Sequence, residues 1–245
     1  MAESDFLRSY PMHVARLQAA IVGDAALEAA VGGDFITVGK IELSLLRSIG
    51  LSEGHFLVDV GCGSGRLAFQ LTSIKNLIYL GTDVVPALLA HAKQLTQQPQ
   101  WRFELTDGVR IPCASESADY VCFFSVFTHL RHEETYKYLE EAKRVLKPGG
   151  RVVFSFLEFL IFSHWAVFQN SLKNSGPDDC ISQFMDRHAI RLFAHHLGLN
   201  IDFVADGDKP HIPVEDELLR WSNGGFTAGL GALGQSVAVL SKPRA

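Results

Sequence analysis

The sequence predicts a doubly wound α/β fold, and three observations carry that prediction. Short apolar runs alternate with helix-period segments across residues 55–157. The first run ends in a glycine turn, and the run at 118–124 is too apolar to be a solvent-edge strand. Strands alternating with helices imply right-handed crossovers and a parallel sheet covered on both faces.

Taken in order, residues 1–50 hold two amphipathic stretches, one with Val14, Leu17 and Ile21, the other with Ile41, Leu45, Leu46 and Ile49. They predict a helical cap. Residues 55–60 (HFLVDV) form the first strand, and Leu67, Ala68, Leu71 and Ile74 follow at helical spacing. Residues 77–82 form the second strand, after which Pro86 opens a helix carrying Leu88, Leu89, Ala92 and Leu95. Residues 101–105 and 118–124 supply the third and fourth strands. The helix over residues 133–146 has acids at its start and bases at its end, as its dipole favours. Pro148-Gly149-Gly150 is expected to stop it before a fifth strand at 151–157. A helix at 186–197, a sixth strand at 201–205 and a seventh at 236–240 complete the pattern. Residues 158–183 and 206–234 break the alternation. Insertions of that length inside a compact domain usually work as lids, so both are expected to cover substrate. One domain over 1–245 is expected, with its ligand-binding core at 51–157.

Composition narrows the function. Of the 245 residues, 22 are Lys or Arg and 27 are Asp or Glu, a formal charge of −5, which argues against a binder of nucleic-acid backbone. The most apolar window, 152–168, carries Ser155, Glu158, Ser163 and His164, too polar for a membrane span. Cys62, Cys113, Cys122 and Cys180 are scattered without a C-x-x-C pair. A soluble, cytoplasmic chain with no metal, membrane or nucleic-acid partner is expected; the sequence leaves the oligomeric state open.

The chemistry concentrates at residues 58–66, Val-Asp-Val-Gly-Cys-Gly-Ser-Gly-Arg, between the first strand and the first helix. Glycines there let backbone N–H groups approach a ligand closely. The spacing of Gly61, Gly63 and Gly65 is G-x-G-x-G; it is neither the dinucleotide fingerprint nor a P-loop. Asp83 ends the second strand, where an acid faces the ligand crevice and accepts both hydroxyls of a ribose. Asp107-Gly108 follows the third strand, and Phe124-Ser125-Val126-Phe127 closes the fourth. All of these lie at carboxyl ends of strands, where open α/β sheets place ligands.

With DVGCGSG at 59–65, the acid Asp83, TDG at 106–108, SVFTHL at 125–130 and RVLKPGG at 144–150, the chain resembles class I S-adenosylmethionine-dependent methyltransferases. Beyond residue 157 the likeness is weaker, though GQSVAVLSK resembles the family's final, antiparallel strand. The resemblance implies a seven-stranded, mostly parallel sheet and S-adenosylmethionine as cofactor. It implies that Asp59, Gly61, Gly63 and Gly65 hold the cofactor's amino-acid end, and that Asp83 binds the ribose with Val84 against adenine. Asp107 would bond the adenine amino group with Gly108 beside it, and Ser125 and Val126 would line the methionine side. Arg66 is expected to start the helix and to pack or salt-bridge locally, with a direct contact to the ligand as the alternative.

The acceptor is narrowed by elimination. The N/D-P-P-Y motif of amino-methylating enzymes is missing after the fourth strand, as is the acid of metal-dependent catechol-type enzymes. A small-molecule hydroxyl is the expected acceptor, without a metal, with His129 as general base. His164 and Trp165 are expected to line the acceptor pocket, together with the phenylalanines beyond Leu157. N-methylation of a small amine, or a non-catalytic cofactor-binding module of a larger complex, are the alternatives.

Overall fold

The computed structural model describes residues 4–173, 176, 179–214 and 218–244. Parts of the two expected lids, 174–175, 177–178 and 215–217, lie outside the described residues.

Three helices precede the sheet: α1 (Asp5–Ala20), α2 (Ala25–Ala30) and α3 (Phe35–Ser48). The two amphipathic stretches anticipate α1 and α3. The six-residue, alanine-rich α2 is too short to show a period. Asp34 caps α3 by accepting the Thr37 N–H at 2.9 Å, and its other oxygen takes the Ser222 N–H at 2.7 Å.

The alternation then runs β1 (Phe56–Val60), α4 (Arg66–Leu71), β2 (Ile78–Asp83), α5 (Pro86–Thr96), β3 (Arg102–Leu105), β4 (Ala118–Phe123), α6 (His132–Val145) and β5 (Leu146–Phe156). It is followed by α7 (Phe162–Lys173), α8 (Arg187–Leu197), β6 (Asn200–Ala205) and a last strand, β7 (Ser236–Ser241). These seven strands form one sheet in the order β3-β2-β1-β4-β5-β7-β6. The pairs among β1 to β5 are parallel, and β7 runs antiparallel to both of its neighbours.

Side chains alternate across the sheet, so each strand feeds two cores. Val58, Leu80, Val121, Phe123, Phe154 and Phe156 pack with α6 and α8 on one face. Leu57, Tyr79, Tyr120, Cys122 and Val153 pack with α3 and α4 on the other. The strand phenylalanines are core, as their buried strands require: Phe123 stacks on Phe127 at 4.6 Å, and Phe127 meets Phe154 at 5.0 Å.

Two expectations are corrected. Pro148-Gly149-Gly150 does not stop α6. The helix ends at Val145, and Leu146 is already extended (φ −68°, ψ 135°) and paired with Ala118. The proline and glycines instead lie within β5, where the register with β4 shifts between Ala118 and Tyr120 and Gly149 takes φ +82°. The 206–234 segment is not a plain loop. Ile212–Pro213 pairs with Leu230–Gly231, and Leu219–Arg220 pairs with Phe226–Thr227. Thr37 of α3 anchors it by donating to the Arg220 carbonyl at 2.7 Å.

Replacing Asp34 with Ala removes the α3 cap and the tie to Ser222 together. It should lower stability by about 0.5–2 kcal/mol, the usual range for losing an N-cap, read by chemical denaturation.

Candidate functional site

The strand order reverses between β1 and β4, which opens a crevice at the carboxyl ends of the strands. There the described residues enclose a cleft of roughly 850 Å³, mouth included. Asp59, Val60, Gly61 and Cys62 border it from β1 and its turn, Asp83 and Val84 from β2, Thr106 from beyond β3, and Phe124, Ser125 and Val126 from beyond β4.

The glycine turn is shaped by what stands against it. Gly61, Gly63 and Gly65 take φ +71°, +55° and +95°, which L side chains rarely adopt. A Cβ on Gly61 would lie 2.4 Å from Val126 Cγ2, one on Gly63 2.3 Å from Val31 Cγ1, and one on Gly65 2.9 Å from the Ala92 backbone. The turn therefore presents bare backbone to the cleft. Asp83 is aimed by two backbone donors, Gly63 N–H at 3.0 Å and Val85 N–H at 2.9 Å, one to each oxygen. A carboxylate has acceptor sites beyond those two, so capacity remains for a diol. Burial still outweighs these bonds and raises its pKa to about 6. Asp59 sits deeper. It accepts the Tyr79 hydroxyl at 2.9 Å and the Cys122 thiol at 3.5 Å, and burial raises it to about 7. Backbone cradle, aimed acid and apolar wall together fit an adenosyl cofactor with an amino-acid tail.

Phe6 and Tyr10 of α1 with Ala30 and Val31 roof this cleft. The roof is tied to the glycine turn by Arg66. Its guanidinium donates to both oxygens of Glu42 (2.5 and 3.3 Å) and to the Val31 and Gly32 carbonyls (2.9 and 3.0 Å). Glu42 is 1% exposed, so this is a buried pair, the local salt bridge expected for Arg66.

His129 borders the cleft from a 3₁₀ turn, Phe127–His129, after β4. Its Nδ1 lies 2.9 Å from the Ile181 carbonyl, and its ring stacks on Tyr10 at 6.1 Å. Burial holds its pKa below the ordinary histidine value. A second cavity begins on its other side, bordered by His13, Gly32, Gly33, Ser155, Leu233 and Gln235. Among the described residues no group of three or more His, Cys, Asp or Glu is placed to hold a metal, and the cysteines are free.

Several expected site residues lie elsewhere. Asp107 is exposed on an open groove with Arg102 and Arg110, while Thr106, the residue before it, borders the cleft. The Gly108 carbonyl accepts the Tyr138 hydroxyl at 2.9 Å, and it is Tyr138 that faces the cleft. His164 is 1% exposed and reaches neither cavity. Its Nδ1 accepts the Glu158 N–H at 3.0 Å and its Nε2 donates to the Gly234 carbonyl at 2.9 Å, so it clamps backbone. Trp165 packs outside the cavities with Phe159 and Phe168, and Phe159 stacks on Phe184 at 4.5 Å. Conversely, Phe6, Tyr10, Glu42 and Tyr138 border the cleft although nothing in their local pattern marks them. Only the amphipathic spacing of α1 and α3 gave a signal, and it marked core positions.

Residues 58–154 match the family model described as a methyltransferase domain. The chain is 29% identical over 112 residues to methyltransferase GfsG of Streptomyces halstedii, covering 44% of this chain and 40% of that one. It is 29% identical over 128 residues to the 18S rRNA (guanine(1575)-N(7))-methyltransferase of Saccharomyces cerevisiae, 48% of this chain and 46% of that one. The chain thus spans less than half the length of these relatives. The fold is shared with magnesium protoporphyrin IX methyltransferase of Synechocystis PCC 6803, solved with bound S-adenosylhomocysteine. The TM-score is 0.62 at 16% identity, over 98% of this chain and 97% of that one. Motif order and sheet topology agree with these matches: residues 58–154 form a domain similar to the methyltransferase domain of S-adenosylmethionine-dependent enzymes.

Proposed function

We propose that this chain methylates a hydroxyl of a small-molecule acceptor, with His129 as general base. The observation that carries the reading is the bond of His129 to Ile181. A carbonyl only accepts, so Nδ1 holds the ring proton and Nε2 keeps its lone pair. Burial keeps the ring neutral at pH 7, and the side chain stands between the two cavities. An acceptor oxygen needs such a base, because its proton must leave as the new bond forms.

When bound, S-adenosylmethionine supplies an electrophilic methyl group, the C–S bonding pair leaving on sulfur. Asp83 accepts the ribose hydroxyls, and Val84, Thr106 and Tyr138 surround the base. Asp59 and the backbone at Gly61 and Cys62 would face the amino-acid end, and Ser125 and Val126 would line the methionine side. His129 Nε2 takes the acceptor's proton while the roof from α1 and α2 excludes water. A small acceptor is favoured over RNA by the net charge of −5. No helix among the described residues is long and apolar enough to cross a membrane, and the free cysteines fit a cytoplasmic setting.

Calorimetry with S-adenosylmethionine tests the cofactor assignment. Asp83→Ala should weaken binding by about 1.5–3 kcal/mol, the range for losing hydrogen bonds to a charged group; an unchanged constant removes the ribose role. The ribose hydroxyls donate to the ionised carboxylate, so affinity should be full above the Asp83 pKa of about 6 and fall as pH drops through it. Asp83→Asn should remove that part of the slope and leave the part due to Asp59, whose pKa burial raises to about 7. His129→Ala should reduce turnover by about 10²–10⁴-fold, the usual worth of a general base, while cofactor affinity holds. Wild-type turnover in that variant, measured as S-adenosylhomocysteine release with a phenol and alcohol panel, would rule His129 out.

A further inference from the structure

The second cavity, roughly 820 Å³ with its mouth, has no role in holding the cofactor's adenosyl end. Its polar floor is a closed triad from three separate parts of the chain. The Ser125 N–H donates to Ser155 Oγ at 2.7 Å, the Ser155 hydroxyl donates to Gln235 Oε1 at 2.7 Å, and Gln235 Nε2 donates to Ser125 Oγ at 3.2 Å. The triad holds Ser125 at φ +60°, a left-handed conformation that a serine adopts only when its surroundings impose it. Two donors are left over among the described residues: the second amide N–H of Gln235 and the Ser125 hydroxyl.

Val31, Val38, Phe124 and Leu233 give the cavity apolar wall. The charged groups cancel. Glu42 and Arg66 pair with each other, and Arg66 spends its remaining contacts on two carbonyls. His13 and His129, the other titratable groups on this wall, are both kept toward the neutral form by burial.

We propose that this cavity seats the methyl acceptor and that the acceptor is a neutral, hydroxylated ring compound, anchored by Gln235 and Ser125 beside His129. The proposal rests on the methyl-transfer reading above and replaces His164 and Trp165 as the acceptor-binding residues. Apolar walls take a ring, and the two spare donors take an oxygen on it. A carboxylate, phosphate or ammonium group would lose hydration on entering and meet no counter-charge, which is costly.

The test compares three one-ring phenols that differ chiefly in their para group: 4-hydroxybenzyl alcohol (neutral), 4-hydroxybenzoate (anionic) and tyramine (cationic). Each is titrated by ligand-observed NMR into protein saturated with S-adenosylhomocysteine. The neutral phenol should bind about tenfold or more tighter than either charged one, as burial of an unpaired charge requires. Gln235→Leu should weaken it about 5- to 10-fold, the worth of a lost hydrogen bond, in a protein that still binds S-adenosylhomocysteine. Gln235→Glu should shift preference toward tyramine. Equal or tighter binding of a charged phenol to the wild type overturns the proposal. So does no binding of the neutral phenol to the loaded protein, or an unchanged neutral-phenol constant in a Gln235→Leu protein that still binds S-adenosylhomocysteine. If Gln235→Leu does not fold, the wild-type comparison and Gln235→Glu decide. A wild type that fails to bind S-adenosylhomocysteine overturns the cofactor reading itself, and this proposal with it.

Discussion

Both cavities depend on the buried pair between Arg66 and Glu42. Arg66 opens α4 directly behind the glycine turn, while Glu42 lies on α3. Two ions held out of water must satisfy each other closely. This pair does so with two hydrogen bonds and adds the Val31 and Gly32 carbonyls to the same guanidinium. The N-terminal helices are thereby fixed against the turn whose backbone they roof. Removing either ion would leave the other uncompensated and free both cavity walls at once.

The sheet supplies the second constraint. Its order reverses between β1 and β4, so the chain ends leaving these strands diverge and open a crevice. Ser125 is driven into a left-handed conformation where β4 runs out, and Ser155 on β5 and Gln235 before β7 hold it there. The antiparallel β7 matters here. Only a strand entering from that direction brings Gln235 to the same edge as the ends of β4 and β5.

Much of the fold was legible in the sequence because its signals are local. Runs of five to seven residues marked all seven strands, the third the least apolar, and Asp59, Gly61, Cys62 and Asp83 fell at the cleft. The failures are also physical. The Pro-Gly-Gly of β5 was taken as a helix stop, because sequence shows glycine's freedom but not that a bulge will use it. Asp107 was assigned to the ligand, but where a turn ends by one residue decides whether Asp107 or Thr106 faces inward. His164 and Trp165 were assigned to the acceptor because they sit in an insertion. The histidine satisfies two backbone groups, and the tryptophan completes an aromatic cluster outside the cavities.

By itself the sequence determined the strand order of appearance, the glycine turn and the acid that ends β2. Each of these follows from residue type and spacing within a few positions. Tertiary structure alone decided which side chains close the site: Tyr10 from α1, Glu42 from α3, Tyr138 from α6 and Gln235 from the edge of β7. These residues are separated by up to 225 positions, and no local periodicity distinguishes them from surface or core neighbours. They meet because parallel pairing forces the chain to leave successive strands at one edge, and whatever emerges there becomes the wall.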